Sequence, residues 1–332
     1  MTLRPLSPGR YVRTLLVWAG VWVVVGVAAV LLGSQNIWAW DRWDQQRDVL
    51  QMRLYSVLTA SVVGAALALA GLAFQALLRN PLASPYVLGV SGGGTLAVIL
   101  ASLFVGITLQ PLFGFLGALA TIVFVYTVAQ RRGRIEPYTL LLSGVILNAF
   151  YAAAIMLASA QVPPAKRADI AYYMMGSIST LYVRWPLVAM VGVLAAAAAV
   201  VLAFLAKGFN LVALGEDTAG AMGIPVHRLR MATFVLASLV TGAAVSLAGP
   251  IGFVGLICPH ILRMLLGPDH RRLVPASFFF GAAFLVLADL ASRIVEGATG
   301  TVVPVGVLTA MCGGPFFVYL LRTRWRRTAE VQ

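Results

Sequence analysis

Few side chains in this sequence could do chemistry. Ser91, in Gly89-Val-Ser91-Gly92, has the spacing of an intramembrane serine nucleophile, and His260 is the base to nominate beside it. A four-residue pattern recurs by chance in a chain with 32 glycines, and neither Asp nor Glu lies near Ser91 in sequence to orient a base. Close helix packing for Gly89 and Gly93, with an ordinary hydrogen bond for Ser91, is the plainer reading. His260 with Arg263, and Asp289 with Arg293, are the ionisable groups found inside the apolar runs; the second pair is spaced i, i+4 on one helix face and reads as a structural ion pair for Asp289, with reach to the outer surface as the other reading for Arg293. An ion-coupled carrier needs ionisable or ion-binding groups near the midplane, so this scarcity weighs against that class, while sodium coordination by backbone carbonyls stays open. ATP hydrolysis by a P-loop needs Gly-x4-Gly-Lys-Ser/Thr, and neither Lys166 nor Lys207 stands in that context. Cys258 and Cys312 lack CxxC spacing and neighbouring ligands. No disulfide, metal site, cofactor or catalytic residue is expected.

The elements that hold these residues are membrane helices. Of 332 residues, 61% are hydrophobic and 11% charged, against roughly 45–50% and 25% in a soluble domain. That excludes an ordinary water-soluble enzyme. The pattern predicts an all-α polytopic membrane protein, residues 1–332 forming one domain. Its ten spans run over about 14–33, 55–78, 86–106, 111–130, 138–159, 185–206, 231–248, 250–266, 276–294 and 304–321. The first apolar stretch exceeds the core of a signal peptide and is followed by no small-x-small cleavage site before Asp41, so it is kept as a span. The formal charge is +13, and the bases fall in short gaps between apolar runs rather than along one face, which fits a topology signal and not nucleic acid. With the N-terminus inside, seventeen lysines and arginines lie on the inner side and seven on the outer, so both termini are expected in the cytoplasm.

Two features suggest transport. Gly64-Ala-Ala-Leu-Ala-Leu-Ala-Gly71 in the second span is echoed by Gly242-Ala-Ala-Val-Ser-Leu-Ala-Gly249 in the seventh, five spans on and so running the other way, as inverted repeats do. Coincidence in an Ala- and Gly-rich chain accounts for the echo about as well. The inner segment of residues 208–226 is longer and more polar than the other inner loops; Glu216 and Asp217 suit the first turn of a short helix, and Gly223-Ile-Pro225 would stop it. This helix is either a solvated connector or the element gripped by a cytoplasmic motor.

Together the motifs resemble the permeases of ABC importers for iron–siderophore complexes, haem and cobalamin (FecCD-type, BtuC-like). The matching stretches are Gln75-Ala-Leu-Leu-Arg-Asn80-Pro-Leu-Ala-Ser-Pro-Tyr-Val-Leu-Gly89, Met174-Met-Gly-Ser177 and Leu214-Gly-Glu-Asp-Thr-Ala-Gly-Ala-Met-Gly223. Further matches are Gly249-Pro-Ile-Gly-Phe-Val-Gly-Leu-Ile-Cys-Pro-His260-Ile-Leu-Arg263, Ala288-Asp-Leu-Ala-Ser-Arg293, Pro304-Val-Gly-Val-Leu-Thr and Gly314-Pro-Phe-Phe. They keep the family's order over about residues 50–322.

The resemblance implies a BtuC-like type II ABC importer permease with ten spans. Its expected partners are a second copy of itself, two ATP-binding cassette ATPase subunits, a periplasmic substrate-binding protein and the lipid bilayer. Localisation would be the bacterial inner membrane. Leu214, Gly215, Glu216, Asp217, Ala219, Met222 and Gly223 match the ATPase-coupling loop. Asn80, Pro81 and Leu82, with Ser143 and Gly144, match the cytoplasmic gate; Arg53 and Arg293 match arginines that dock the binding protein; Tyr172, Tyr173 and Met174 would line the pathway, ordinary packing being an equal reading for these three. The chain departs from the family where Arg-Leu-Pro-Arg is usual and Arg53-Leu-Tyr55-Ser56 stands, so one docking arginine is missing; Arg42, Arg47, Lys166 and Arg167 are substitutes or solvated loop charges. Tyr173 stands where the family often has Trp. The alternatives are a stand-alone secondary transporter and a membrane-embedded protease. The cargo stays open among siderophore, haem, cobalamin and a small oxyanion.

Overall fold

The computed structural model describes residues 8–33, 43–104, 109–131, 134–178 and 184–329. The elements run α1 (Pro8–Leu31), α2 (Trp43–Leu77), α3 (Val90–Phe104), α4 (Gln110–Ala129), α5 (Pro137–Ala160), α6 (Pro164–Met174), α7 (Trp185–Val212), α8 (Glu216–Ala221), α9 (Val226–Ala248), α10 (Val254–Leu266), α11 (His270–Thr299) and α12 (Val305–Ala329). A two-residue antiparallel ladder, Gln130–Arg131 with Arg134–Ile135, joins α4 to α5. Among the described residues seven helices are long and apolar enough to cross a membrane, α1, α2, α4, α5, α7, α9 and α11, and three shorter apolar helices lie in α3, α10 and α12. Each of the ten predicted spans falls on one of these. The short predicted helix is α8, with Glu216 and Asp217 in its first turn. Helix α6 was not expected; its mixed polar and apolar residues read as loop. Helix α2 begins twelve residues before its predicted span, so that it carries Arg53 inside the helix.

Helix α2 is the centre of the bundle. It is apolar on all sides over residues 57–77, as a helix surrounded by other helices must be, and it packs against α1, α7, α9, α10 and α11. Lipid chains are as apolar as leucine, so association here relies on close dispersion contact rather than on exclusion of water. The glycines set those contacts. A Cβ on Gly64 would stand 2.7 Å from Leu285 Cβ and meet the backbone of Gly281, while one on Gly281 would meet Gly64, so α2 and α11 touch backbone to backbone. Gly71 and Gly255 do the same for α2 and α10. The echoed glycine Gly242 of α9 faces Ala118 of α4 instead, so the two copies of the repeated stretch have different partners.

Residues 176–177, 248–250 and 304–306 meet one another between the helices. Ser177 N donates to Ala248 O at 3.0 Å and Gly306 N donates to Gly176 O at 2.9 Å, so these backbones satisfy one another where no water or helix would. Gly176 (φ +75°) and Gly249 (φ +69°) are left-handed, and a Cβ on either would strike a neighbouring carbonyl, that of Pro250 or Tyr173. The Met174-Met-Gly-Ser177 and Gly249-Pro motifs are therefore the two sides of one backbone crossing.

Candidate functional site

The α8 end carries the predicted coupling and gate residues. Ala219 is fully buried and joins a cluster with Phe209, Val212 and Leu229, which seats α8 on α7 and α9. Asp217, Leu214 and Met222 remain exposed, the last two at 46% and 61%, so the seated helix presents an acidic and apolar surface outward. Glu216 is held from two sides: Arg230 of α9 donates to its Oε1 at 2.5 Å, and Arg79, just past α2, lies 3.7 Å from the same oxygen. Neither arginine was singled out from sequence; nothing in local spacing ties residue 79 to residue 216.

Arg79 begins the gate segment. Asn80 Oδ1 accepts from Leu82 N at 2.9 Å, closing a tight turn around Pro81 of the kind short polar side chains favour. Beyond it, Asn148 Nδ2 donates to Tyr86 O at 2.6 Å and Gly144 lies against Val87 and Leu88, so the start of α5 clasps residues 86–88. Ser143 is buried and donates to Leu140 O. The structure thus brings Gly144 onto the segment that follows Asn80, while Ser143 turns back on its own helix. Nearby, Asp269 caps α11: Arg271 N, the Arg271 guanidinium and Asn210 all donate to its carboxylate. Burial alone would raise the Asp269 carboxyl; these hydrogen bonds outweigh it and hold the group below its ordinary value.

At the opposite end, a cavity of about 410 Å³ lies among α2, α6, α7, α9 and α11. Tyr172 and Tyr173 line it together with Tyr55, Lys166, Arg184 and Glu296. Tyr173 donates to Val245 O at 2.8 Å, and burial pushes its phenol up from the usual range. Met174 does not line this cavity; its sulfur accepts from Ser159 and it packs beside Ile99 and Ile170.

The two predicted docking arginines also lie at this end, since 24 residues of α2 separate Arg53 from Leu77, about 36 Å at 1.5 Å per residue. Neither is a plain rim charge. Arg53 is 6% exposed and donates to the carbonyls of Val30 and Leu31. Arg293 donates to Ala29 O at 3.1 Å and pairs with Asp289 at 3.0 Å. Both arginines therefore supply donors to the last carbonyls of α1, which have no partner within their own helix. The expected Asp289–Arg293 pair forms, and Ser56, the residue in place of the missing arginine, donates to Asp289 at 2.8 Å. Lys166 and Arg167, grouped with solvated charges, sit in α6 and donate to Ser102 O and Val162 O. Arg42 lies outside the described residues. Ser91 is buried in the first turn of α3 and His260 stacks edge-on with Phe316 of α12.

Comparison with known proteins agrees with this architecture. The FecCD transport family matches residues 16–323. The cobalamin import system permease protein BtuC of Halobacterium salinarum is 42% identical over 281 residues, covering 82% of this chain and 73% of that protein. The hemin transport system permease protein HmuU of Yersinia pestis is 34% identical over 304 residues, covering 89% and 87%. A solved structure of a metal-chelate type ABC transporter in an inward-facing conformation superimposes with a TM-score of 0.81 at 29% identity, covering 94% of this chain and 99% of that one. With the family match, the relatives and the superposition in agreement, the chain belongs to the FecCD transport family and is a membrane permease of the ABC importer type.

Proposed function

We propose that this permease takes a metal chelate or cobalamin from a periplasmic binding protein and releases it to the cytoplasm, as one of two identical subunits above two ATPase subunits in the bacterial inner membrane. The observation that carries the reading is α8: a short helix seated by one buried alanine, with Asp217, Leu214 and Met222 facing outward on the end where the basic loops gather. That is a surface shaped for a partner rather than for lipid. The excess of basic residues on that side supports a cytoplasmic position for α8 and both termini. ATP binding on the partner would move α8, and the segment around Asn80, with Ser143 and Gly144 beside it, would open or close the inner mouth. Arg53 and Arg293 lie at the other end, where acidic groups of a binding protein would dock by drawing the guanidinium groups from the α1 carbonyls. Tyr172 and Tyr173 would form part of the outer passage, an adaptable aromatic wall suited to bulky cargo; Met174 supports the fold behind them.

The reading is tested by co-purification and uptake. The wild-type chain should retain its ATPase subunits through detergent extraction, and Asp217→Arg with Met222→Asp should release them while the permease itself stays folded. ATPase retention by that variant would defeat the assignment of α8. Uptake by the chain reconstituted alone would defeat the importer reading as a whole.

A further inference from the structure

The described structure ties α8 to the gate segment by charge. Helix α8 packs on α7 and α9, and it reaches residues 79–89 through Glu216 and Arg79. The two sides of this link differ. Arg230, whose side chain is 14% exposed, holds Glu216 at 2.5 Å, whereas Arg79, half exposed, stands at 3.7 Å. The first contact is short and largely shielded; the second is longer and open to solvent.

Arg79 is placed by its backbone. It has φ +48°, one of two non-glycine residues in the left-handed region among those described, at the position just past α2 where glycine is usual. Holding an arginine there costs backbone strain that glycine would avoid. The turn is fixed by Asn80 N donating to Gln75 O at 3.2 Å, and Gln75 in turn donates to Gly255 O and accepts from Arg263 of α10. Beyond the turn the segment is fastened to α5 by Asn148 and Gly144. The segment that starts at Arg79 is thus fastened to α2 at one end and to α5 at the other, which gives a displacement at Arg79 a route to α5.

We propose that Glu216 is a relay rather than a docking residue: through Arg79 it passes the movement of α8 to residues 79–89 and so to the inner mouth. The proposal rests on the reading of α8 as the ATPase-gripped helix. Arg79 is then a positioning residue whose charge, not its contact with any partner subunit, sets how much transport each ATP yields.

The experiment uses the full chain with its cognate ATPase and binding-protein subunits in proteoliposomes, with cobalamin and then ferric hydroxamate as the transported probe. Arg79→Ala and Arg79→Gly should assemble and hydrolyse ATP as wild type does, yet lose about fivefold in uptake per ATP hydrolysed, the low end of coupling between sites. Arg79→Lys should recover most of it. Arg79→Gly keeps the left-handed turn and removes the side chain with its charge, so a wild-type uptake ratio in that variant overturns the relay. So does an Arg79→Lys chain no better than Arg79→Ala. If Arg79→Ala sheds the ATPase subunits, Arg79 is part of the docking surface and the relay fails while the importer reading stands. If the wild-type chain binds no ATPase, the reading of α8 fails and the relay with it.

Discussion

Removing the carboxylate of Asp289 should loosen the end of the bundle where α1, α2 and α11 meet. Asp289 is 3% exposed, pairs with Arg293 at 3.0 Å and accepts from Ser56 at 2.8 Å. Two unit charges 3 Å apart attract by about 5–6 kcal/mol at an effective dielectric constant near 20, and burial of both groups offsets much of that. Truncating one partner of such a pair costs more than the pair contributes, about 3–5 kcal/mol, because the other charge is left without its counterion. Asp289→Ala should therefore lower stability by about 3–5 kcal/mol, and Ser56→Ala by about 1 kcal/mol. Arg293→Met leaves a carboxylate still bonded to Ser56 but also strips Ala29 O of its donor, so it should cost about as much as Asp289→Ala. The double variant should recover about 1–3 kcal/mol relative to the sum of the single losses. The assay is denaturant unfolding of the purified chain in one detergent, followed by fluorescence of Trp18 and Trp22, which pack against Phe280 and Phe279 of α11. Additive single losses, or an Asp289→Ala chain within about 0.5 kcal/mol of wild type, would refute the idea that this cluster closes the bundle.

Two further outcomes follow from the charged groups at the helix ends. Because hydrogen bonds depress the Asp269 carboxyl below its unfolded value, its contribution to stability should be fully present above the unfolded pKa, near 3.9, and fade as pH falls through the lower folded one; Asp269→Ala should cost about 1 kcal/mol at neutral pH and flatten the acid limb of the unfolding profile. An acid limb unchanged by the substitution would show that Asp269 does not titrate there. At the other end, Arg293→Glu and Arg53→Glu should each reduce the stimulation of ATP hydrolysis by the binding protein by about fivefold, and each should also lower stability because it removes donors from the α1 carbonyls. Stimulation that survives both substitutions would leave the arginines a purely structural role at α1.

Composition and periodicity alone determined that the chain is a bundle of membrane helices, where each apolar helix lies, and that Glu216 opens a short polar helix, because apolar runs of span length and an acidic first turn are local properties of the chain. Motif order was enough to identify the family. Residue 79 meeting residue 216, Ser56 meeting Asp289, and three glycines sharing one backbone crossing were decided by tertiary structure. These contacts join positions many residues apart, and no local period encodes them. The same holds for Arg53 and Arg293. The family resemblance implies docking charges at both positions, but only the packed bundle shows that both turn inward to the open carbonyls of α1. A helix end without hydrogen-bond partners is costly at membrane depth, and the nearest cations satisfy it wherever in the chain they come from.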